Sequence, residues 1–262
     1  MYGPHFPLPP FLSTFFVFTI RYRSRTAFPS MILIGLTGGI ACGKSTVCRL
    51  LAEEHGITVI DADLVVRELQ LPGTSCMRRI EQQWPQCIRA ETGELDRLAL
   101  GKIIFEDPEA RKVLGRIMNG PICYAIVKKI LCLWWRTASD AVVILDAPTL
   151  FETGALTRFI SNSLVVACAA ERQVARLHTR NGFSEADARH RIAAQMPLAR
   201  KRQLAGYVLE NDTDDMTVLR RQVAESVVWM RSQSARRLTW MVSAVCAAVT
   251  GTAVAAVLLL CK

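Results

Sequence analysis

No two cysteines in the chain stand in C-x-x-C spacing, and no cysteine and histidine group into a set with zinc-ligand spacing. The nine cysteines and four histidines are scattered along the chain, which excludes a zinc ribbon, a thioredoxin-like redox motif and a disulfide scaffold. An odd set of unpaired thiols suits a reducing compartment. The N-K-x-D motif of guanine-specific switches is also missing. Acidic residues are absent from both ends: all 23 lie between residues 31 and 235, together with 26 of the 32 basic ones. The formal charge of +9 therefore owes most of its excess to Arg21, Arg23, Arg25, Arg236, Arg237 and Lys262. A basic excess confined to the ends does not make a nucleic-acid surface. Basic residues flanking apolar runs fit membranes or targeting machinery instead.

The chain has 262 residues, of which 51% are hydrophobic and 21% charged. That is enough to bury a large core, and too apolar for a disordered protein. The first 30 residues carry a ten-residue apolar run, Phe11 to Ile20, too short for a bilayer span of about 20 residues. They read either as a targeting segment or as a mis-assigned start ahead of Met31. Residues 238–261 (LTWMVSAVCAAVTGTAVAAVLLLC) hold no charge. As a helix rising about 1.5 Å per residue they would extend about 36 Å, longer than a hydrocarbon core of roughly 30 Å. With Arg236 and Arg237 before it, this segment is expected to be a transmembrane tail anchor in the lipid bilayer. The bulk of the chain would then face the cytosol by the positive-inside bias. The sequence leaves the membrane open, with mitochondrion and endoplasmic reticulum both possible.

Between the ends, strand and helix signals alternate. Met31–Thr37 (MILIGLT), Ala141–Leu145 (AVVIL) and Ser163–Ala167 (SLVVA) are apolar on both faces, as buried parallel strands must be. Thr58–Ile60 predicts a further strand ending at Asp61, and Lys44–His55 a helix. Residues 64–136 have helical periodicity, broken at Pro72-Gly73 and Thr92-Gly93. Residues 171–205 and 215–233 predict polar amphipathic helices. Strands joined by helical connections predict an α/β doubly wound parallel sheet, with 64–136 as an inserted helical subdomain.

Gly38-Gly39-Ile40-Ala41-Cys42-Gly43-Lys44-Ser45 fits G-x-x-x-x-G-K-[ST] in full, between a predicted strand and a predicted helix. The glycines let backbone N–H groups curl around phosphate oxygens, and the helix N-terminus favours anions. Gly38, Gly39, Ala41, Cys42, Gly43, Lys44, Ser45 and Thr46 are the expected ATP-binding residues. Lys44 would neutralise the β- and γ-phosphates and Ser45 would ligate Mg²⁺. Ligands of open α/β sheets bind beyond the strands' carboxyl ends, which singles out Asp61, Asp63 and Asp146. One of Asp61 and Asp63 would take a proton from an attacking hydroxyl, and the other would hold magnesium through water. Asp146 is a further magnesium candidate. Among the basic residues of 171–205, Arg176 and Arg180 are expected to act on the transferring phosphate. The others, Lys201 among them, are read as a solvated face.

LTGGIACGKST followed by VIDAD resembles the dephospho-CoA kinase family. The likeness runs on through TGELDRLALGKIIFEDPEARKVL, LDAPTLFE and RLHTRNGFSEADARHRIAAQ to VLEND, so it spans nearly all of 31–233. The resemblance implies ATP-dependent phosphorylation of the ribose 3′-hydroxyl of dephospho-CoA. It also implies a nucleotide-binding core over 31–235, a CoA-binding helical subdomain over 64–136 and a helical lid over 171–205. It makes Asp63 the base, Arg176 and Arg180 the lid arginines, and Arg67, Leu150 and Phe151 neighbours of the acceptor. The chain departs from the family pattern at Gly120-Pro121, where a His-Pro pair is usual, and at Thr149, where leucine is usual. A kinase of the same fold for another small hydroxyl acceptor is the nearest rival. A membrane-tethered nucleotide-binding switch without turnover is a rival of another class.

Overall fold

In the computed structural model, which describes residues 30–137 and 140–235, five strands form one wholly parallel sheet. They are β1 (Met31–Gly38), β2 (Thr58–Asp61), β3 (Ala141–Asp146), β4 (Asn162–Ala167) and β5 (Tyr207–Glu210), in spatial order β2-β3-β1-β4-β5. All eight residues of β1 are buried. Side chains of a strand alternate between its faces. Accordingly Ile32, Ile34 and Leu36 enter one core cluster with α1 (Lys44–Glu53) and α10 (Met216–Arg231), while Met31 and Leu33 enter another. Each such aliphatic side chain contributes about 1.5–3 kcal/mol by leaving water.

The helical subdomain comprises α2 (Ala62–Leu69), α3 (Ser75–Gln83), α4 (Arg97–Glu106) and α5 (Pro108–Arg136). Their starts are set by side-chain caps. Asp61, Thr74, Asp96 and Asp107 each accept a backbone N–H of the following first turn, satisfying donors that the helix cannot. The subdomain has its own core, built around Met77, Ile80, Trp84, Leu100, Ile117 and Met118. Helix α5 continues through Gly120-Pro121, although proline removes one ladder hydrogen bond. A Cβ added at Gly120 would meet no heavy atom within 4 Å, so the glycine is not imposed by packing. Among the described residues α5 alone is long and apolar enough to cross a membrane. It serves here as a core spine, with Ile117 and Met118 in the subdomain and Ile126, Ile130 and Trp134 against the sheet.

After β3 come the short α6 (Leu150–Thr153), β4, and the lid region as three helices: α7 (Ala170–Asn181), α8 (Glu185–Ala193) and α9 (Leu198–Leu204). The lid region was expected as one stretch. It breaks at Gly182, whose φ of 68° ends α7, and at Pro197. Helix α1 ends two residues earlier than expected, ahead of the turn at Gly56 (φ 64°). Strand β5 was not anticipated. It is a short edge strand, only partly covered, so its sequence YVLE lacks the apolar run of an inner strand. The N-terminal segment and the expected transmembrane helix 238–261 lie outside the described residues.

Candidate active site

Strand β1 sends its chain toward β2, whereas β4 sends its chain toward β5 on the other side. A crevice opens between loops that diverge in this way at the strands' carboxyl ends. The glycine-rich loop after β1 fills one wall, and a cleft of ≈ 1310 Å³ lies above it. Gly38 to Thr46, Asp63, Arg67, Arg172, Arg176, Arg180 and Gln195 all line this cleft.

Close approach demands the glycines. A Cβ on Gly38 would stand 2.5 Å from the Val166 carbonyl oxygen, and one on Gly39 2.6 Å from Gln173 Nε2. Gly43 caps α1 with φ 88° and offers no side chain, so the first-turn amides stay open to an anion. Ala41 also has a positive φ, 60°, a conformation that costs a non-glycine residue energy and persists where its surroundings enforce it. Those surroundings are visible. Gln173 Nε2 donates to Ile40 O at 2.7 Å, Arg176 Nη1 to Ala41 O at 3.4 Å and Asn211 Nδ2 to Cys42 O at 2.9 Å. Three successive carbonyls are thus held by side chains from α7 and the end of β5. Of the peptide N–H groups trans to those carbonyls, that of Cys42 donates back to Gly39 O at 3.2 Å. The Ile40 N–H itself donates to Gln195 Oε1 at 2.9 Å.

Lys44 forms an ion pair with Asp146 at the end of β3, and Cys48 Sγ donates to the other carboxylate oxygen at 3.3 Å. Asp61 stands opposite Asp146 in the β2–β3 register and caps α2 through Leu64 N at 3.0 Å. Asp63, in the first turn of α2, opens to the cleft. Desolvation by the cleft walls is the largest influence on its pKa and pushes it up. The Asp61 carboxylate adds to that, Lys44 opposes it, Asp146 adds again and Arg67 opposes.

Arg176 and Arg180 differ in their anchoring. Arg176 also reaches Asn211 O at 3.2 Å and Asp214 at 3.6 Å, so it is fixed at the loop. Arg180 is exposed on the cleft wall, and among the described residues it bonds only its neighbour Asn181, at 2.9 Å. Leu150 is fully buried beneath the site, and Phe151 packs partly buried on the same cluster, so neither lines the cleft wall. The solvated-face reading of Lys201 is overturned. Its side chain is 1% exposed and makes an ion pair with Glu152 at 2.8 Å, and Nζ also donates to Pro148 O at 3.0 Å and Gly38 O at 3.3 Å. A buried ammonium persists only when paired and hydrogen-bonded in this way. It ties α9 to the start of the phosphate loop and to the loop after β3.

A phosphate loop at the crevice of a parallel sheet, faced by a carboxylate and by arginines, defines a P-loop kinase. The sequence profile of the dephospho-CoA kinase family matches residues 32–216. The chain belongs to that family. It is 46% identical over 181 residues to a dephospho-CoA kinase domain-containing protein of Danio rerio, covering 69% of this chain and 78% of that one. It is 37% identical over 211 residues to the dephospho-CoA kinase of Arabidopsis thaliana, covering 80% and 87%. Among solved structures, a Thermus thermophilus protein named TT1252 superposes with a TM-score of 0.66 at 31% identity, covering 77% of this chain and 97% of that one.

Proposed function

We propose that this chain transfers the γ-phosphoryl group of ATP to the ribose 3′-hydroxyl of dephospho-CoA, giving coenzyme A, with Asp63 as the base. The observation that carries this reading is the placement of Asp63 across one cleft from the phosphate loop, in a chain of this family. Asp63 takes the hydroxyl proton, the freed oxygen forms a bond to the γ-phosphorus, and the bond to the β–γ bridging oxygen breaks to release ADP. Phosphoryl transfer depends mostly on positioning and charge neutralisation. Lys44 and the amides of residues 41–45 hold the phosphates, and Arg176 and Arg180 approach the transferring group. Arg67, one helical turn from Asp63, sits where the acceptor must enter.

The donor set suits Mg²⁺. The Ser45 hydroxyl and the Asp146 carboxylate are hard oxygen donors. Among the described residues no group of three or more His, Cys, Asp or Glu could hold a metal. A partial protein shell of this kind fits a cation that keeps its waters and takes substrate phosphates. Bound there, the cation neutralises charge on the phosphate oxygens. Lys44 shifting from Asp146 to the phosphates frees that carboxylate for it.

A base must be ionised to act. Because burial and like charge raise the Asp63 pKa, the acid limb of the rate profile lies above the ordinary carboxylate range, and activity is lost as pH falls through it. Asp61→Asn removes the nearest like charge while an asparagine still caps α2. A kcat–pH profile of that variant is expected to show the acid limb moved to lower pH. A limb that stays in place would take the base role away from Asp63.

The uncharged run 238–261 supports a second element of the reading: a tail anchor that holds the kinase at a membrane, facing the cytosol. Deleting 236–262 is expected to leave turnover unchanged and to move the protein from the membrane pellet to the supernatant. A truncated protein that still sediments with membranes would refute the anchor.

A further inference from the structure

In the phosphate loop the Cys42 thiol reads from the sequence either as a plain space-filler or as a redox-sensitive group. The fold sets it against Cys168, at the end of β4, 126 residues away. Their sulfurs are 3.3 Å apart, with Cys168 donating to Cys42. Both are buried, Cys42 at 0% and Cys168 at 2% exposure. Cys42 Sγ is tucked under the loop's own backbone, 2.9 Å from where a Cβ on Gly39 would stand. Among the described residues no other cysteine has a cysteine for a partner: Cys48 turns to Asp146, and desolvation first, then that carboxylate, pushes its thiol up to about 12.

We propose that Cys42 and Cys168 form a reversible disulfide under peroxide, and that this bond switches off the nucleotide site. The reading rests on the phosphate loop being the ATP site.

The chemistry balances with hydrogen peroxide as the oxidant. The Cys168 thiolate attacks one peroxide oxygen, giving a sulfenic acid and one water once the leaving hydroxide takes a proton. The Cys42 sulfur then attacks the sulfenic sulfur, the S–O bond breaks, and the hydroxyl leaves as a second water. Two thiols lose two electrons and two protons in all. Cys168 suits the first step. Once it is ionised, the hydrogen bond from Cys42 lowers its pKa, burial opposes, the guanidinium of Arg176 lowers it, the Asp212 carboxylate raises it and Arg172 lowers it again. The same hydrogen bond and burial push the Cys42 thiol up, and whichever sulfur is oxidised first, the other stands 3.3 Å away to resolve it. Glutathione-type disulfides would reach the same product by exchange.

Closing the bond brings the sulfurs from 3.3 Å to about 2.0 Å. The loop cannot follow freely, because Asn211 holds the Cys42 carbonyl and Arg176 the Ala41 carbonyl. The cradle at residues 41–43 deforms, and a misplacement of about 1 Å at a reacting centre costs on the order of 100-fold in rate.

The test uses the full-length protein, treated with hydrogen peroxide in the absence of nucleotide. Free thiols are then alkylated and the digest mapped by mass without reduction. The expected result is a linked Cys42–Cys168 peptide pair two hydrogens lighter than its parts. ATP binding and turnover should fall by on the order of 100-fold and return with dithiothreitol. Cys168→Ser and Cys168→Ala, each assayed alongside, should keep basal turnover and lose the peroxide response. Oxidation confined to other cysteines, or a linked pair with undiminished turnover, overturns the proposal. The link is read by mass, so its absence is distinct from failure to phosphorylate dephospho-CoA.

Discussion

Asp63→Asn is expected to lower kcat by about 10²–10⁴-fold with little change in the KM of either substrate. The amide keeps the size of the carboxylate but cannot accept the hydroxyl proton. The fold should survive, because α2 is capped by Asp61 and not by Asp63. Steady-state kinetics with both substrates varied checks this. A variant with near-normal kcat would move the base role to Asp61 or show that transfer needs none.

Lys44→Ala is expected to lower kcat/KM for ATP by about 10²–10³-fold, through loss of a cation at the developing phosphate charge. It also acts on the resting protein. Asp146 is 8% exposed, and without its partner the carboxylate is stranded with only the Cys48 thiol. Removing one member of a largely buried pair costs stability, so the melting temperature should fall along with activity. The double variant Lys44→Ala/Asp146→Asn separates the two effects. It should regain much of the lost thermal stability and none of the activity, as thermal melts and initial rates on the same samples would show. Recovery of turnover in the double variant would mean that Lys44 serves the fold and not the phosphates.

These residues differ in how openly the sequence displays them. Strands β1, β3 and β4 are buried on both faces, so their apolar runs marked them without help. The phosphate loop was legible because its glycines, lysine and serine are contiguous and stand between a strand and a helix. Strand β5 was not, since a partly covered edge strand has no distinctive pattern. The supports of the loop were missed for another reason. Gln173, Gln195 and Asn211 reach it from 133 to 169 residues away, and no local pattern reports a contact formed only by the tertiary fold. Lys201 was misread because a lysine on a polar helix is by default exposed. What overrides that default is a set of acceptors, Glu152 and Pro148 from the connection after β3 and Gly38 from the end of β1, which only the folded sheet brings together. The same limit hid the Cys42–Cys168 pair, and made Asp146 readable as a metal ligand but not as the resting partner of Lys44.

A cleft built in this way is expected to phosphorylate one hydroxyl of one acceptor. The most direct measurement incubates the purified protein with ATP and Mg²⁺ and, in parallel, dephospho-CoA, adenosine or shikimate, and identifies the products by mass and phosphorus NMR. The expected product is coenzyme A carrying a new 3′-phosphate, formed only with dephospho-CoA and lost in Asp63→Asn. ATP binding without coenzyme A formation, or equal turnover of adenosine or shikimate, would contradict it.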